Sequence, residues 1–214
     1  MFSGTYAVYV VAGVVVFDAD VVRPEREMPV ASPFRRPIAE FDAILVDHYE
    51  DVLRSERGLT YWKDKKQRTL LANPDKTEKI FHRALFRWLD SNVADALRVF
   101  GETRGLGQDA TDITVVTPSG SYAIEVKWLG RNENGQQYGE ITITQGLKQV
   151  SLYLERDADL IGGYLVCYDG RSADDHHNLC GYDTSVMHAD CEHPKIVFLE
   201  TETPSQTARR IRAS

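Results

Sequence analysis

Apolar and polar residues alternate through residues 112–130, which read DITVVTPSGSYAIEVKWLG. This alternation is interrupted by the turn-forming residues TPSG, so it predicts two antiparallel strands joined in a hairpin by a four-residue loop. The apolar sets of the two strands must share the buried face, because a slip of one residue would expose one of them. We therefore expect Val115 to pair with Tyr122, and Ile113 to pair with Ile124.

The same register brings three polar side chains to one end of the hairpin. Asp112 lies directly opposite Glu125, and the Cβ atoms of such a pair are about 5 Å apart. Lys127 follows Glu125 by two residues, so it lies on the same face of the strand. Two opposed carboxylates repel each other when no cation lies between them. The pattern therefore predicts an acidic pair that binds a cation next to a primary amine.

Apolar residues at three- and four-residue spacing predict helices at residues 38–57, 74–92 and 144–157. The second helix has a capping residue, Asn73, followed by Pro74, which is favoured in the first turn. Glu78 lies at the edge of its apolar stripe, so its carboxylate points near the core. The third helix presents Gln149 and Tyr153 on one face.

The order of the predicted elements indicates the fold class. Further strands are predicted at residues 97–102, 163–168 and 195–200, which together with the hairpin and the helices predict an α/β fold. We expect a mixed central sheet with helices on both sides over residues 38–214. Residues 1–37 form a β-rich N-terminal extension with a proline-rich linker. Its apolar run, residues 7–17, is either one buried strand or a strand pair bending at Gly13.

Net charge and cysteine content narrow the function classes. A net charge of −7 argues against a protein that coats nucleic acid through a basic surface. It is compatible with an enzyme that gathers carboxylates around a metal ion, with local basic residues lining a groove. Three cysteines form no disulfide framework, and the N-terminal apolar run is too short to span a bilayer and has no preceding basic residue. We therefore expect a cytoplasmic protein that does not bind membranes.

The constellation of Glu78, Asp112, Glu125, Lys127 and the Gln149-x-x-x-Tyr153 element resembles the PD-(D/E)xK nuclease superfamily, in its exonuclease-like branch. The resemblance covers roughly residues 75 to 170 and implies a restriction-endonuclease-like fold. In one departure, this chain has Thr111 in place of the proline that precedes the aspartate in the family motif, a proline that is often missing in the superfamily. Asp109 is the competing candidate for the aspartate, although the register places it beyond the strand.

The resemblance implies metal-dependent hydrolysis of phosphodiester bonds. Hard oxygen ligands favour Mg²⁺ or Mn²⁺, for which Asp112, Glu125 and the backbone carbonyl of Val126 are the expected ligands. By resemblance, Glu78 completes the site directly or through water. Lys127 is expected to orient the attacking water or to stabilise developing charge. The remaining pair, Gln149 and Tyr153, is expected to position the substrate backbone or the lysine.

Several functions are compatible with these predicted site residues. We expect a nuclease acting on DNA rather than RNA, in bacterial or phage-related defence, restriction or repair. The alternatives are a catalytically inactive nuclease-like module for nucleic-acid docking or dimerisation, and an RNA-directed nuclease effector. A homodimer or a partner subunit is compatible with each of these functions.

A second cluster of metal-binding residue types lies near the C-terminus. Four of the six histidines and two of the three cysteines fall within it: His176, His177, Cys180, His188, Cys191 and His193. Four such ligands would hold a structural Zn²⁺. Their spacing matches no familiar zinc motif, so a polar surface loop is the alternative that we favour.

Overall fold

The computed structural model describes residues 7–11, 14–18, 35–53, 62–64, 68–70, 74–104, 110–131, 136–171, 182–199, 201, 209 and 212. The chain divides into two units, Met1–Arg35 and Arg36–Ser214. In the first unit, β1 (Ala7–Val11) pairs antiparallel with β2 (Val14–Asp18). Of the two forms expected for this apolar run, the strand pair is therefore observed. Most of the predicted linker lies outside the described residues.

The second unit opens with a composite helix. A 3₁₀ turn (Ile38–Glu40) leads into α1 (Phe41–His48), which continues as a π-helical turn (Tyr49–Leu53). Phe41, Ile44, Leu45 and Leu53 are buried, so apolar residues at helical spacing face the core. This confirms the predicted helix as far as residue 53, and its last four predicted residues lie outside the described part.

The remaining elements, in chain order, are β3 (Trp62–Asp64), β4 (Thr69–Leu70), α2 (Pro74–Asn92), β5 (Arg98–Arg104), β6 (Ala110–Thr117), β7 (Gly120–Arg131), β8 (Gln137–Tyr138), α3 (Glu140–Arg156), β9 (Leu160–Asp169) and β10 (Lys195–Phe198). The predicted start of α2 is confirmed. The third helix begins at Glu140, four residues earlier than predicted, and Gly139 before it supplies no capping side chain that would mark this start in the sequence. No helix in the described part of the chain has the length and apolar character needed to cross a membrane.

The strands of this unit form one mixed sheet. Its main order is β10–β9–β7–β6–β5, and the end of β7 also pairs with β8 and β4, while β3 pairs with β4. β9 is parallel to both β7 and β10, whereas β6 is antiparallel to β5 and β7. The expected α/β fold with a mixed sheet is therefore confirmed at this level of description.

The hairpin of β6 and β7 has the predicted register. Val115 pairs with Tyr122, and Ile113 pairs with Ile124. The connection is tighter than predicted, because Thr117 still pairs with Gly120 and leaves only two residues in the turn. The hydroxyl of Thr117 donates a hydrogen bond to the carbonyl of Gly120, which strengthens this closure.

Helices cover both faces of the sheet. On one face, Phe81 of α2 stacks on Trp128 of β7 and Tyr168 of β9. On the other face, α3 packs its apolar stripe against β7 and β9 through Leu129, Ile143, Leu147, Val150 and Leu165. The prediction of one buried hairpin face was therefore incomplete, because Ala123 and Glu125 on the opposite face are also buried.

The last residue of α1 is a histidine that lies in the core. His48 is fully buried, and its Nε2 atom lies 3.2 Å from the hydroxyl oxygen of Tyr168. Its ring also packs edge-on against Trp88. The Nδ1 atom has no hydrogen-bond partner among the described residues. Burial lowers the pKa of His48 to about 4, because the charged imidazolium would lose its hydration there.

We expect His48 to make the fold sensitive to acid. The unfolded histidine has a pKa of about 6.5. The unfolded state therefore binds more protons than the folded state between pH 6.5 and 4, and stability falls as the pH falls through this window. The full effect is about 3 kcal/mol. His48→Gln should flatten the pH dependence of the unfolding free energy, measured by denaturant titration.

The control for this experiment is His193→Gln at an exposed position, which should keep the pH dependence of the wild type. Parallel pH profiles for the wild type and His48→Gln would contradict the assignment.

Candidate functional site

The site is built where β6 separates from β7. The backbone pairing of these strands runs from the turn to Ile113 and Ile124. Beyond that pair, a side chain replaces the backbone as the hydrogen-bond acceptor. The Oδ2 atom of Asp112 accepts a hydrogen bond from the backbone N–H of Val126 at 2.9 Å. The carboxylate of Asp112 is thereby held against the segment of β7 that carries Glu125 and Lys127.

The carboxylate of Glu125 is buried and already hydrogen-bonded. The residue is 2% exposed, and its Oε1 atom accepts a hydrogen bond from Nζ of Lys127 at 2.6 Å. Its Oε2 atom accepts a hydrogen bond from the hydroxyl of Tyr153 at 3.2 Å. Tyr153 is itself buried, so it holds Glu125 from the side of α3.

The charges at this site are strongly coupled. Burial raises the pKa of Glu125 to about 7, and the nearby negative charge of Asp112 adds to this, while Lys127 and Tyr153 oppose it. Burial alone would lower the pKa of Lys127. The carboxylates of Glu125, Glu78 and Asp112 outweigh this and raise it. Lys127 is therefore an ammonium ion at neutral pH.

Helix α2 contributes two residues that are one turn apart. Glu78 is half-buried, in agreement with its predicted position at the edge of the apolar stripe. Its negative charge raises the pKa of Lys127. His82 lies four residues later, and its Nε2 atom is 2.6 Å from the backbone carbonyl oxygen of Asp112. His82 was not predicted as a site residue. The only sequence signal for it was its four-residue spacing from Glu78, because its partner is a backbone atom.

A recess of about 460 Å³ opens beside Lys127, and neither Asp112 nor Glu125 lines it. It is lined by Glu78, Lys127, Tyr138, Thr142, Gln145, Lys148, Gln149 and Leu152. Three of the predicted residues, Glu78, Lys127 and Gln149, thus meet in one cavity. Tyr153 is not among the lining residues, and it reaches the site through Glu125 instead.

The close approach of α3 to the sheet depends on Gly146. A Cβ atom at this position would lie 2.6 Å from Cδ1 of Leu165 and 3.2 Å from Cγ of Lys127. Leu165 is fully buried, so it has little room to move away. The absence of a side chain at Gly146 therefore lets the stem of Lys127 pass between β7 and α3.

The donor set can be compared with what a divalent cation requires. Within the described residues, no group of three or more His, Cys, Asp or Glu side chains is arranged to hold a metal ion. Asp112 and Glu125 supply two hard oxygen donors. The N–H and carbonyl of one residue point to the same side of a strand, so the carbonyl of Val126 lies on the side of β7 that faces β6. Mg²⁺ commonly takes one or two carboxylates and several waters, so these residues fit it.

The second predicted cluster is only partly described. His176, His177 and Cys180 lie outside the described residues, as does Asp109. His188 interacts with Asp190, with 3.4 Å between Nδ1 and Oδ2. Cys191 is buried next to β9, and burial raises the pKa of its thiol to about 11. A zinc site at these positions stays a prediction.

Comparisons with protein-family models, curated proteins and solved structures found no match. The resemblance to the nuclease superfamily therefore rests on the residues and geometry of this chain.

We expect Gly146→Ala to destabilise the protein, although alanine is the better helix former by about 1 kcal/mol. Overpacking against the buried Leu165 costs about 1 to 3 kcal/mol, which exceeds this gain. The measurement is the free energy of unfolding from denaturant titration. Gly101→Ala is the matched control, because a Cβ atom there would meet nothing closer than 3.4 Å. A more stable Gly146→Ala variant would contradict the close packing of α3.

Proposed function

We propose that this protein is a Mg²⁺-dependent phosphodiesterase that cleaves nucleic acid, with a site of the PD-(D/E)xK type. The observation that carries the proposal is the hydrogen bond from the backbone of Val126 to the carboxylate of Asp112. It keeps two carboxylates and the Lys127 ammonium at one end of a single hairpin. The same end borders a recess that can admit a substrate.

In this proposal Asp112, Glu125 and the carbonyl of Val126 hold the cation, with Glu78 adding a ligand directly or through water. A bound Mg²⁺ would polarise the phosphoryl oxygen and lower the pKa of a bound water. The electrostatics support this assignment. Burial and the charge of Asp112 both disfavour the ionised form of Glu125, which is the condition that a cation relieves.

The protonation state of Lys127 limits its role. Burial lowers its pKa, but the carboxylates of Glu125, Glu78 and Asp112 outweigh this and raise it, which favours the ammonium form of Lys127. As an ammonium, it can donate hydrogen bonds to a phosphate oxygen or orient the attacking water. Stabilisation of the charge that develops on the phosphate is the role that we assign to it.

The surrounding residues position these groups. Tyr153 donates a hydrogen bond to Glu125 and fixes the orientation of its carboxylate. His82 donates a hydrogen bond to the backbone carbonyl of Asp112 and fixes that end of β6. Gln149 lies in the recess, where its amide can contact the sugar–phosphate backbone of the substrate.

We favour DNA as the substrate, because most proteins that this constellation resembles act on DNA. A catalytically inactive module is the second candidate, and one observation favours it. Lys127 and Tyr153 already engage both oxygens of Glu125, so the buried carboxylate has partners in the absence of a cation. Magnesium binding and turnover separate the two candidates.

The test of activity is incubation of the purified protein with plasmid, linear duplex DNA, single-stranded DNA and RNA, in Mg²⁺ or in EDTA. We expect cleavage in Mg²⁺ only. Asp112→Asn and Lys127→Ala should each reduce the initial rate by about 100-fold or more, because each removes a charge that acts on the transition state.

The matched controls are Asp90→Asn and Lys79→Ala, both at exposed positions of α2. They should retain the wild-type rate. Equal cleavage by Lys127→Ala would remove the lysine from the mechanism, and cleavage in EDTA would contradict the metal assignment.

The test of metal binding is the effect of Mg²⁺ on thermal stability. Binding to the folded state alone stabilises by about 2.7 kcal/mol when the free Mg²⁺ concentration is 100 times Kd. We expect Tm to rise with Mg²⁺ in the wild type and in Asp90→Asn, but not in Asp112→Asn. An equal shift in all three would place the metal elsewhere, and a shift in none would favour the inactive module.

A further inference from the structure

The recess is a groove that follows α3. Its lining residues on this helix run from Thr142 to Leu152, a separation of ten positions that corresponds to about 15 Å along the helix axis. Lys127 enters the middle of the groove, because its stem lies beside Gly146. Tyr138, on β8, precedes α3 and lies at the Thr142 end. The proposed reacting centre therefore has groove on both sides of it.

The groove has the charges that a phosphate chain requires. Lys127 provides an ammonium next to the acidic pair, and Lys148 provides a second one at an exposed position of α3. Glu78 is the one acidic residue among the lining residues, and in the proposed function it faces the cation. These two lysines, one on β7 and one on α3, can contact two phosphates of the same strand, one of them next to the cleaved bond.

The groove also has an aromatic side chain, Tyr138, on which a nucleic-acid base can stack. Tyr138 is half-buried in the wall, and Leu152 lies at the opposite end of the lined stretch. Aromatic side chains in such grooves stack on bases of any sequence. The faces of bases in a duplex are already stacked on each other, so Tyr138 can meet a base face only when the strand is unpaired or the base is flipped out.

We propose that the groove along α3 binds a single strand of nucleic acid, with Lys148 on a phosphate next to the cleaved bond and Tyr138 stacked on a base. This inference rests on the proposed function for the position of the reacting centre. It adds the substrate class, which is an unpaired strand, and two residues that bind it.

The test is fluorescence anisotropy with a labelled oligothymidylate, a hairpin duplex of the same length, and an abasic strand with the same number of phosphates. EDTA is present so that no strand is cut. We expect the oligothymidylate to bind about tenfold more tightly than the duplex, or better. Tyr138→Ala should weaken oligothymidylate binding by roughly 5- to 100-fold, and Tyr138→Phe should restore it. The abasic strand should not distinguish Tyr138→Ala from the wild type.

Lys148→Ala should reduce the slope of log affinity against log salt concentration by about 0.7, the contribution of one phosphate contact on a single strand. Arg87→Ala, at an exposed position of α2 outside the groove, is the charge-matched control and should keep the wild-type slope. Both the Tyr138 and the Lys148 variants change surface groups of the groove, and circular dichroism verifies that they fold.

Three results would overturn the groove assignment: no binding by the wild type, equal affinity for the strand and the duplex, or wild-type binding by Tyr138→Ala and Lys148→Ala. These outcomes are distinguishable from failure of the proposed function. Strand binding of the expected pattern without cleavage in Mg²⁺ would refute the nuclease and leave the groove in place. Cleavage without this binding pattern would refute the groove alone.

Discussion

One hydrogen bond organises the candidate site, the bond from the backbone N–H of Val126 to the carboxylate of Asp112. It replaces the next rung of the ladder between β6 and β7, so the two strands separate while their ends stay joined. His82 secures the other side of Asp112 by contacting its backbone carbonyl. A carboxylate that would otherwise extend into solvent is thus held beside Glu125 and Lys127.

The burial of Glu125 explains why this arrangement is better suited to function than to stability. Removing a carboxylate from water and placing it near Asp112 costs free energy, and buried ion pairs often fail to recover that cost. Lys127 and Tyr153 provide partial compensation. The packing of α3 on the sheet, which requires a glycine at position 146, keeps these groups together at the edge of the recess.

Features that depend on local pattern were predictable from the sequence. The register of the hairpin followed from alternation, and the start of α2 followed from Asn73 and Pro74. The meeting of Glu78, Lys127 and Gln149 was expected from the resemblance to the nuclease superfamily, because helix periodicity and strand register alone gave only the face on which each residue lies. Features that depend on tertiary contact were not predictable: His82 binds a backbone atom that has no sequence signature, and the start of α3 after Gly139 lacks a capping side chain.

The burial of individual residues was also hard to predict where it depends on tertiary contacts. Glu125 was predicted to face its partners, yet its burial depends on α3 covering a second face of the hairpin. Tyr153 was predicted to position the substrate backbone or Lys127, and in the structure its hydroxyl donates a hydrogen bond to Glu125. His48 is fully buried although Asp47 precedes it and Glu50 follows it, so the polar residues around it in the sequence did not indicate its burial.

The most direct test of the central claim is anomalous diffraction from crystals of the protein soaked in Mn²⁺. We predict one anomalous peak at direct coordination distance from the carboxylates of Asp112 and Glu125, and no such peak in Asp112→Asn crystals. An anomalous peak at another position would contradict this prediction. Crystals without bound Mn²⁺, in which Glu125 still pairs with Lys127, would contradict it as well.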